Sequence, residues 1–178
     1  MKATLGAVSI AASLLITPAC SQQVAPSGSN AFSAQDRKFL NVIDQSTLAE
    51  VALGKLAAER GTTPAVRLFG RWMASTDSLA NRQLATMIEE MNGPTLPAVP
   101  TAKQQAEFQK MQALSGTEFD QEYIHMMVPG HNAEIALFQE EAQRGQNPSV
   151  RSFARNLLPT AKEHLAAVEN LIATTASK

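Results

Sequence analysis

Long runs of apolar residues at helical spacing, cut by glycine, proline and capping residues, constrain this chain more than any other feature. Phe39, Ile43, Ser46, Glu50, Leu53 and Ala57 fall on one stripe of a helix over about 34–60, with Ser33 as N-cap, Asp36 in its first turn and Gly61 as its stop. Val66, Phe69, Met73, Asp77, Ala80, Leu84, Met87 and Met91 line a second helix, opened by Thr63-Pro64 and closed by Asn92-Gly93-Pro94. Ile124, Met127, His131, Ile135, Phe138 and Ala142 line another over about 118–144, capped by Thr117 and stopped by Gly145. Val150, Phe153, Leu157, Ala161, His164, Val168 and Leu171 line the last, opened by Asn147-Pro148 and running to about Thr174. A shorter helix over about 102–114 follows the connection that holds Pro94, Pro97 and Pro100; its few large apolar residues predict loose packing. Pro129 and Pro159 each remove a backbone N–H inside a helix, which predicts curvature around the core.

No stretch alternates as a strand would, and only 5% of the residues are aromatic, which suits helix better than sheet. Long amphipathic helices joined by short and medium connections predict an all-α fold, an antiparallel four-helix bundle over 34–176 with an extra short helix in the long connection.

The first 19 residues read separately. Lys2 is followed by an apolar run from Leu5 to Ile16 and then by Thr17-Pro18-Ala19-Cys20, the parts of a secretory signal. The run is shorter than the roughly 20 apolar residues a spanning helix needs. Cys20, the single cysteine, sits where the apolar core ends. The segment resembles a bacterial lipoprotein signal, with cleavage after Ala19 and a lipid on Cys20; Thr17 and Pro18 depart from the usual pattern. Residues 20–33 would then be a flexible tether to the membrane. Asp is missing after Cys20, so the resemblance favours a periplasmic domain anchored to the outer membrane. Ordinary cleavage after Ala19 would leave the same domain unanchored.

Charge and cysteine usage exclude several classes. The formal net charge of -1 argues against a general nucleic-acid binder. One cysteine excludes an internal disulfide framework and a cysteine-based zinc site. There is no nucleophile elbow and no phosphate-binding glycine loop, so no catalytic residue is assigned. Glu89-Glu90 and Glu140-Glu141 read as solvated faces.

The informative residues are those that break the apolar stripes: Glu50, Asp77, His131 and His164, each near the middle of its helix. In an antiparallel bundle the middles lie at similar height, so two carboxylates and two imidazoles are expected at one level of the core. Buried carboxylates and imidazoles are costly unless paired or ligating metal. One solution is a carboxylate–histidine hydrogen-bond network that sets helix register. The other is a metal site using Glu50, Asp77, His131 and His164, with Glu134 added, for iron, zinc or copper. A standard di-iron centre is rejected: Glu122-Tyr123-Ile124-His125 supplies one Glu-x-x-His spacing and a second copy is missing. His125-Met126-Met127 with His131 raises Cu(I), although methionine more often fills core gaps.

Ala49-Glu50-Val51-Ala52-Leu53-Gly54-Lys55-Leu56-Ala57, Phe119-Asp120-x-x-Tyr123, Met127-Val128-x-x-His131, Leu137-Phe138, Phe153-Ala154 and Leu158-Pro159-x-x-x-x-His164-Leu165 together resemble the bacterial family named domain of unknown function 4142, in order over about 34–174. The resemblance implies a ferritin-like bundle and an envelope location, and it implies no established activity. Glu50, His131 and His164 match positions that members share; Thr76-Asp77 stands where many members have Asp-His, which removes an imidazole. The reading is therefore an exported, lipid-anchored, non-catalytic binding or structural module with no cofactor assigned, and its rival is a metal-binding protein or metalloenzyme.

Overall fold

The computed structural model describes residues 31–176, so the leader over 1–19 and Cys20 lie outside the described residues. Helices α1 (Ala34–Arg60), α2 (Pro64–Glu90), α3 (Ala102–Ala113), α4 (Gly116–Arg144) and α5 (Pro148–Ala176) form an all-α bundle. Their ends follow from local chemistry. Ser33 Oγ accepts from the Asp36 backbone N–H while Asp36 accepts from the Ser33 N–H, a reciprocal cap that satisfies two donors at the start of α1. Thr63 caps α2 through the Val66 N–H, and Asn147 Oδ1 caps α5 through Ser149 and Val150. One expectation needs correcting: α4 is not capped by Thr117. Its N-cap is Ser115, which makes no side-chain cap bond, and Gly116 enters the helix with φ +62. The Phe119 N–H reaches the Ser115 carbonyl, so the helix starts a residue before Thr117.

Two antiparallel hairpins, α1–α2 and α4–α5, build the bundle, and two buried aspartates lock them together. Asp120, near the start of α4, accepts from the backbone N–H groups of Thr62 and Thr63 and from the Thr62 hydroxyl, in the turn between α1 and α2. Asp36, near the start of α1, accepts from the N–H groups of Gln146 and Asn147, in the turn between α4 and α5. Each hairpin turn thus sits over the first turns of the other hairpin. This makes α1 antiparallel to α4 and α2 antiparallel to α5, so the connection from α2 to α4 must travel the length of the bundle. It climbs along α1: the Ala98 N–H bonds Asp44 at 2.8 Å, and Arg60 donates to the Gln112 carbonyl at 2.5 Å. Helix α3, expected to pack loosely, buries Met111 and sets Phe108 and Leu114 against the core.

The core has two lobes. One gathers Leu53, Leu56, Val66, Phe69, Met73, Phe119, Tyr123 and Ile124; the other gathers Phe39, Leu40, Ile43, Leu84, Phe138, Val150 and Phe153. Where α1 crosses α2 the contact is backbone to backbone. A Cβ added to Gly54 would lie 2.7 Å from the Gly70 carbonyl oxygen, and one added to Gly70 would lie 2.6 Å from the Gly54 carbonyl oxygen. Of the expected core methionines, Met73 and Met127 are buried and Met87 and Met91 are half-buried. Glu141 corrects the reading of Glu140-Glu141 as a solvated pair: Glu140 is exposed, but Glu141 is 1% exposed and accepts from Gln35.

Candidate metal centre

The polar residues that break the stripes do meet between the two lobes. Glu50 comes from α1, Asp77 from α2, His131 and Glu134 from α4, and His164 from α5. One ligand atom each of Glu50, His131 and Glu134 lies within 4.8 Å of the others. His131 and Glu134 share a face because they are three residues apart on one helix. His164 stands edge-on to His131, with ring centroids 5.4 Å apart.

Each imidazole is oriented by a neighbour. His131 Nδ1 lies 2.8 Å from the Met127 carbonyl oxygen, an acceptor, so Nδ1 carries the proton. Its Nε2 therefore holds the lone pair, and that atom is buried without a hydrogen-bond partner. His164 Nε2 lies 3.0 Å from the Thr76 hydroxyl, which also reaches the Trp72 carbonyl at 2.9 Å. Trp72 packs edge-on against His164 at 4.5 Å between centroids.

The carboxyl groups are crowded and poorly served. Glu50 Oε2, Asp77 Oδ2 and the Tyr123 hydroxyl are buried with no hydrogen-bond partner. Burial first, then the charges of Glu134 and Asp77, push the Glu50 carboxyl well above its ordinary value. Burial and then Glu134 push Asp77 up to about 8, and burial pushes Glu134 up to about 7. Tyr123 is raised by burial and by the fields of Asp77 and Glu50. Burial lowers His131 against the pull of its Met127 bond, and burial with repulsion from His131 lowers His164 to about 3. Both rings are neutral at neutral pH, the form that ligates metal. The centre can hold protons on its carboxyls or exchange them for a cation.

Among the described residues His131 Nε2, Glu50 Oε2 and Asp77 Oδ2 have no protein hydrogen-bond partner, whereas His131 Nδ1 and His164 Nε2 do. The Glu122-x-x-His125 spacing contributes nothing to the centre: His125 is exposed and Glu122 pairs with Lys110 at 2.6 Å. The same exposure takes His125 away from His131, so the His125-Met126-Met127 run does not converge as Cu(I) ligands would.

Tyr123 and Thr76 were not singled out from the sequence, and Glu134 only as an addition. A signal for Glu134 was present. Ala49-Glu50-Val51-Ala52-Leu53 is repeated as Ala133-Glu134-Ile135-Ala136-Leu137, and Arg60-Gly61, Pro64, Val66-Arg67, Phe69 and Arg71 recur at the same offset as Arg144-Gly145, Pro148, Val150-Arg151, Phe153 and Arg155. Asp36 and Asp120, the two turn locks, obey it too. The hairpins are internal repeats, and Glu50 and Glu134 are equivalent positions that face each other.

The family model described as a domain of unknown function, DUF4142, matches residues 21–171. No curated protein matches. The crystal structure of a DUF305 fragment from Deinococcus radiodurans is similar in fold, with a TM-score of 0.69 and 17% identity, over 80% of this chain and 98% of that one. A DUF305 protein from Streptomyces coelicolor, inferred to be secreted, is similar with a TM-score of 0.66 and 15% identity, over 79% of this chain and 93% of that one.

Proposed function

This chain belongs to the DUF4142 family, and from that premise we propose that it is a divalent-metal-binding helical module of the cell envelope. One observation carries the reading: Glu50, His131 and Glu134 place ligand atoms within 4.8 Å of one another, with His131 Nε2 unpartnered and its Nδ1 held by a backbone carbonyl. A metal-ligating histidine characteristically gives its other nitrogen's proton to such an acceptor, which sets tautomer and ring direction. Two carboxylates and one imidazole, with no thiolate, suit manganese, iron(II) or zinc better than Cu(I). Asp77 and His164 border the set from α2 and α5 and would tune its charge. A bound cation supplies the positive charge that lets these crowded carboxyls ionise together.

The purified protein should bind one such ion per chain, as read by elemental analysis and calorimetry, and should melt at a higher temperature when loaded. At a free metal concentration of 100 times Kd the gain is about 2.7 kcal/mol. His131→Ala should weaken binding on the order of 100-fold. A protein that takes up none of the three metals and melts unchanged on their addition would overturn the reading.

The envelope location rests on the leader and on Cys20, with support from the inferred secretion of the Streptomyces neighbour. Among the described residues no helix is long and apolar enough to cross a membrane, so a lipid on Cys20 would be the tether. Cys20→Ser should move the protein from the membrane pellet to the soluble periplasmic fraction. Continued sedimentation with membranes would sink the anchor while leaving the metal proposal standing.

A further inference from the structure

A cleft of about 540 Å³ opens between α2 and α5 and ends on Asp77, Glu134 and His164. Its volume falls within the range of small-molecule sites. Along α2 it extends from Thr76 to Met87, which at the helical rise is roughly 16 Å, so it is a trough and not a round pocket. The side facing α5 presents Ser149, Ser152, Asn156 and Thr160, short polar groups that bond a ligand without charge. Leu79, Phe138, Phe153 and Leu157 supply apolar wall.

Charge decides the class of occupant. Among the described residues, no lysine or arginine lines the cleft, so an anion would find no counter-charge there. The ionisable groups at the inner end are two carboxyls and an imidazole. Asp77 is 6% exposed, its Oδ2 has no partner, and it lies outside the Glu50–His131–Glu134 set. A buried carboxyl left in this state calls for a donor, and an ammonium brings three.

We propose that the cleft between α2 and α5 binds a linear aliphatic amine, with its ammonium head at Asp77 beside Glu134 and its methylene chain along Leu79, Phe153 and Leu157. The trough length selects an extended chain, the apolar wall takes the methylenes, and the serine, asparagine and threonine groups meet further amines along the chain. The site goes beyond the metal reading and does not need the metal, because its ligand is held by Asp77 and by the cleft walls.

Calorimetric titration of the purified full chain with spermidine, in excess EDTA, tests this. Saturable binding of one spermidine per chain is expected, weakened at least tenfold by Asp77→Asn. Ser152→Trp, which fills the trough from an exposed position, should also weaken it at least tenfold. His125→Ala, at an exposed position outside both the cleft and the metal centre, should leave it within threefold of the parent. Equal binding by the parent and both cleft variants, or no saturable binding, would each overturn the proposal. The EDTA arm, in which no metal is bound, separates its failure from a failure of the metal reading.

Discussion

Gly70→Ala should destabilise the bundle by roughly 2–3 kcal/mol, which lowers its melting temperature by about 5–10 °C. The new methyl would sit 2.6 Å from the Gly54 carbonyl oxygen, 2.7 Å from the Ala58 nitrogen and 2.8 Å from the Ala57 Cβ. Two of these are backbone atoms, so no side chain can rotate away, and α1 and α2 must separate. Alanine's higher helix propensity returns up to about 1 kcal/mol, which is less than the clash costs. Gly130→Ala is the control, since a Cβ there meets nothing within 4 Å in the same kind of helix. It should raise stability by about 0.5–1 kcal/mol. Thermal melts followed by circular dichroism read both. A Gly70→Ala protein melting within 2 °C of the parent would show that the crossing is not rigid. The separation also matters to the centre: Glu50 stands one turn before Gly54, so a shift of α1 displaces Glu50 relative to His131 and Glu134 and should weaken metal binding in step with stability.

The second large effect is on pH. In metal-free protein, stability should fall as pH rises from about 6.5 to above 8. The folded-state values of Glu134, Asp77 and Glu141 are raised to about 7, about 8 and about 7, and burial with the charges of Glu134 and Asp77 holds Glu50 well above its ordinary value. A raised carboxyl favours the folded state below its unfolded value, and that contribution is lost as pH climbs through the folded value. His131 and His164 are depressed, so their contribution is complete above the ordinary histidine value of 6.5 and disappears only on acidification. Above pH 6.5 the carboxyls therefore act alone. Each proton released across one pH unit costs about 1.4 kcal/mol. Asp77→Asn removes one of these ionisations and should flatten the decline. Metal should reverse it, because binding needs the ionised carboxylates and grows with pH. Melts from pH 6 to 9 with EDTA and with metal check the sign, and a metal-free protein that gains stability over this range would contradict the crowded-carboxyl account.

Much of the bundle was legible from residue chemistry. The starts of α2 and α5 follow from Thr63-Pro64 and Asn147-Pro148, because cap and proline act within one turn and need no tertiary partner. The start of α4 lies two residues before the one that Thr117 predicts, since Thr117 has the right chemistry but Ser115 supplies the carbonyl that the first turn uses. The level shared by Glu50, Asp77, His131 and His164 was legible because polar residues inside apolar stripes stand out. Tyr123 was hidden by looking like ordinary core, and Thr76 by lying a residue off the α2 stripe. Glu141 looked solvated beside Glu140 because adjacent helical residues point about 100° apart, and only packing says which of them turns inward.

Periodicity and capping act over a few residues, so the amino-acid sequence by itself determined the helices and their lengths to within about two residues, and marked the apolar stripe of each long one. It also carried the repeat that makes Glu50 and Glu134 counterparts. The rotation of each helix about its axis and its height along the bundle were decided by tertiary structure, through Asp36 and Asp120 locking the opposite turns and through the Gly54–Gly70 crossing. Those contacts join residues distant in the chain, and in the packing they set, Glu50, His131 and Glu134 converge while His131 Nε2, Glu50 Oε2 and Asp77 Oδ2 are buried without protein partners.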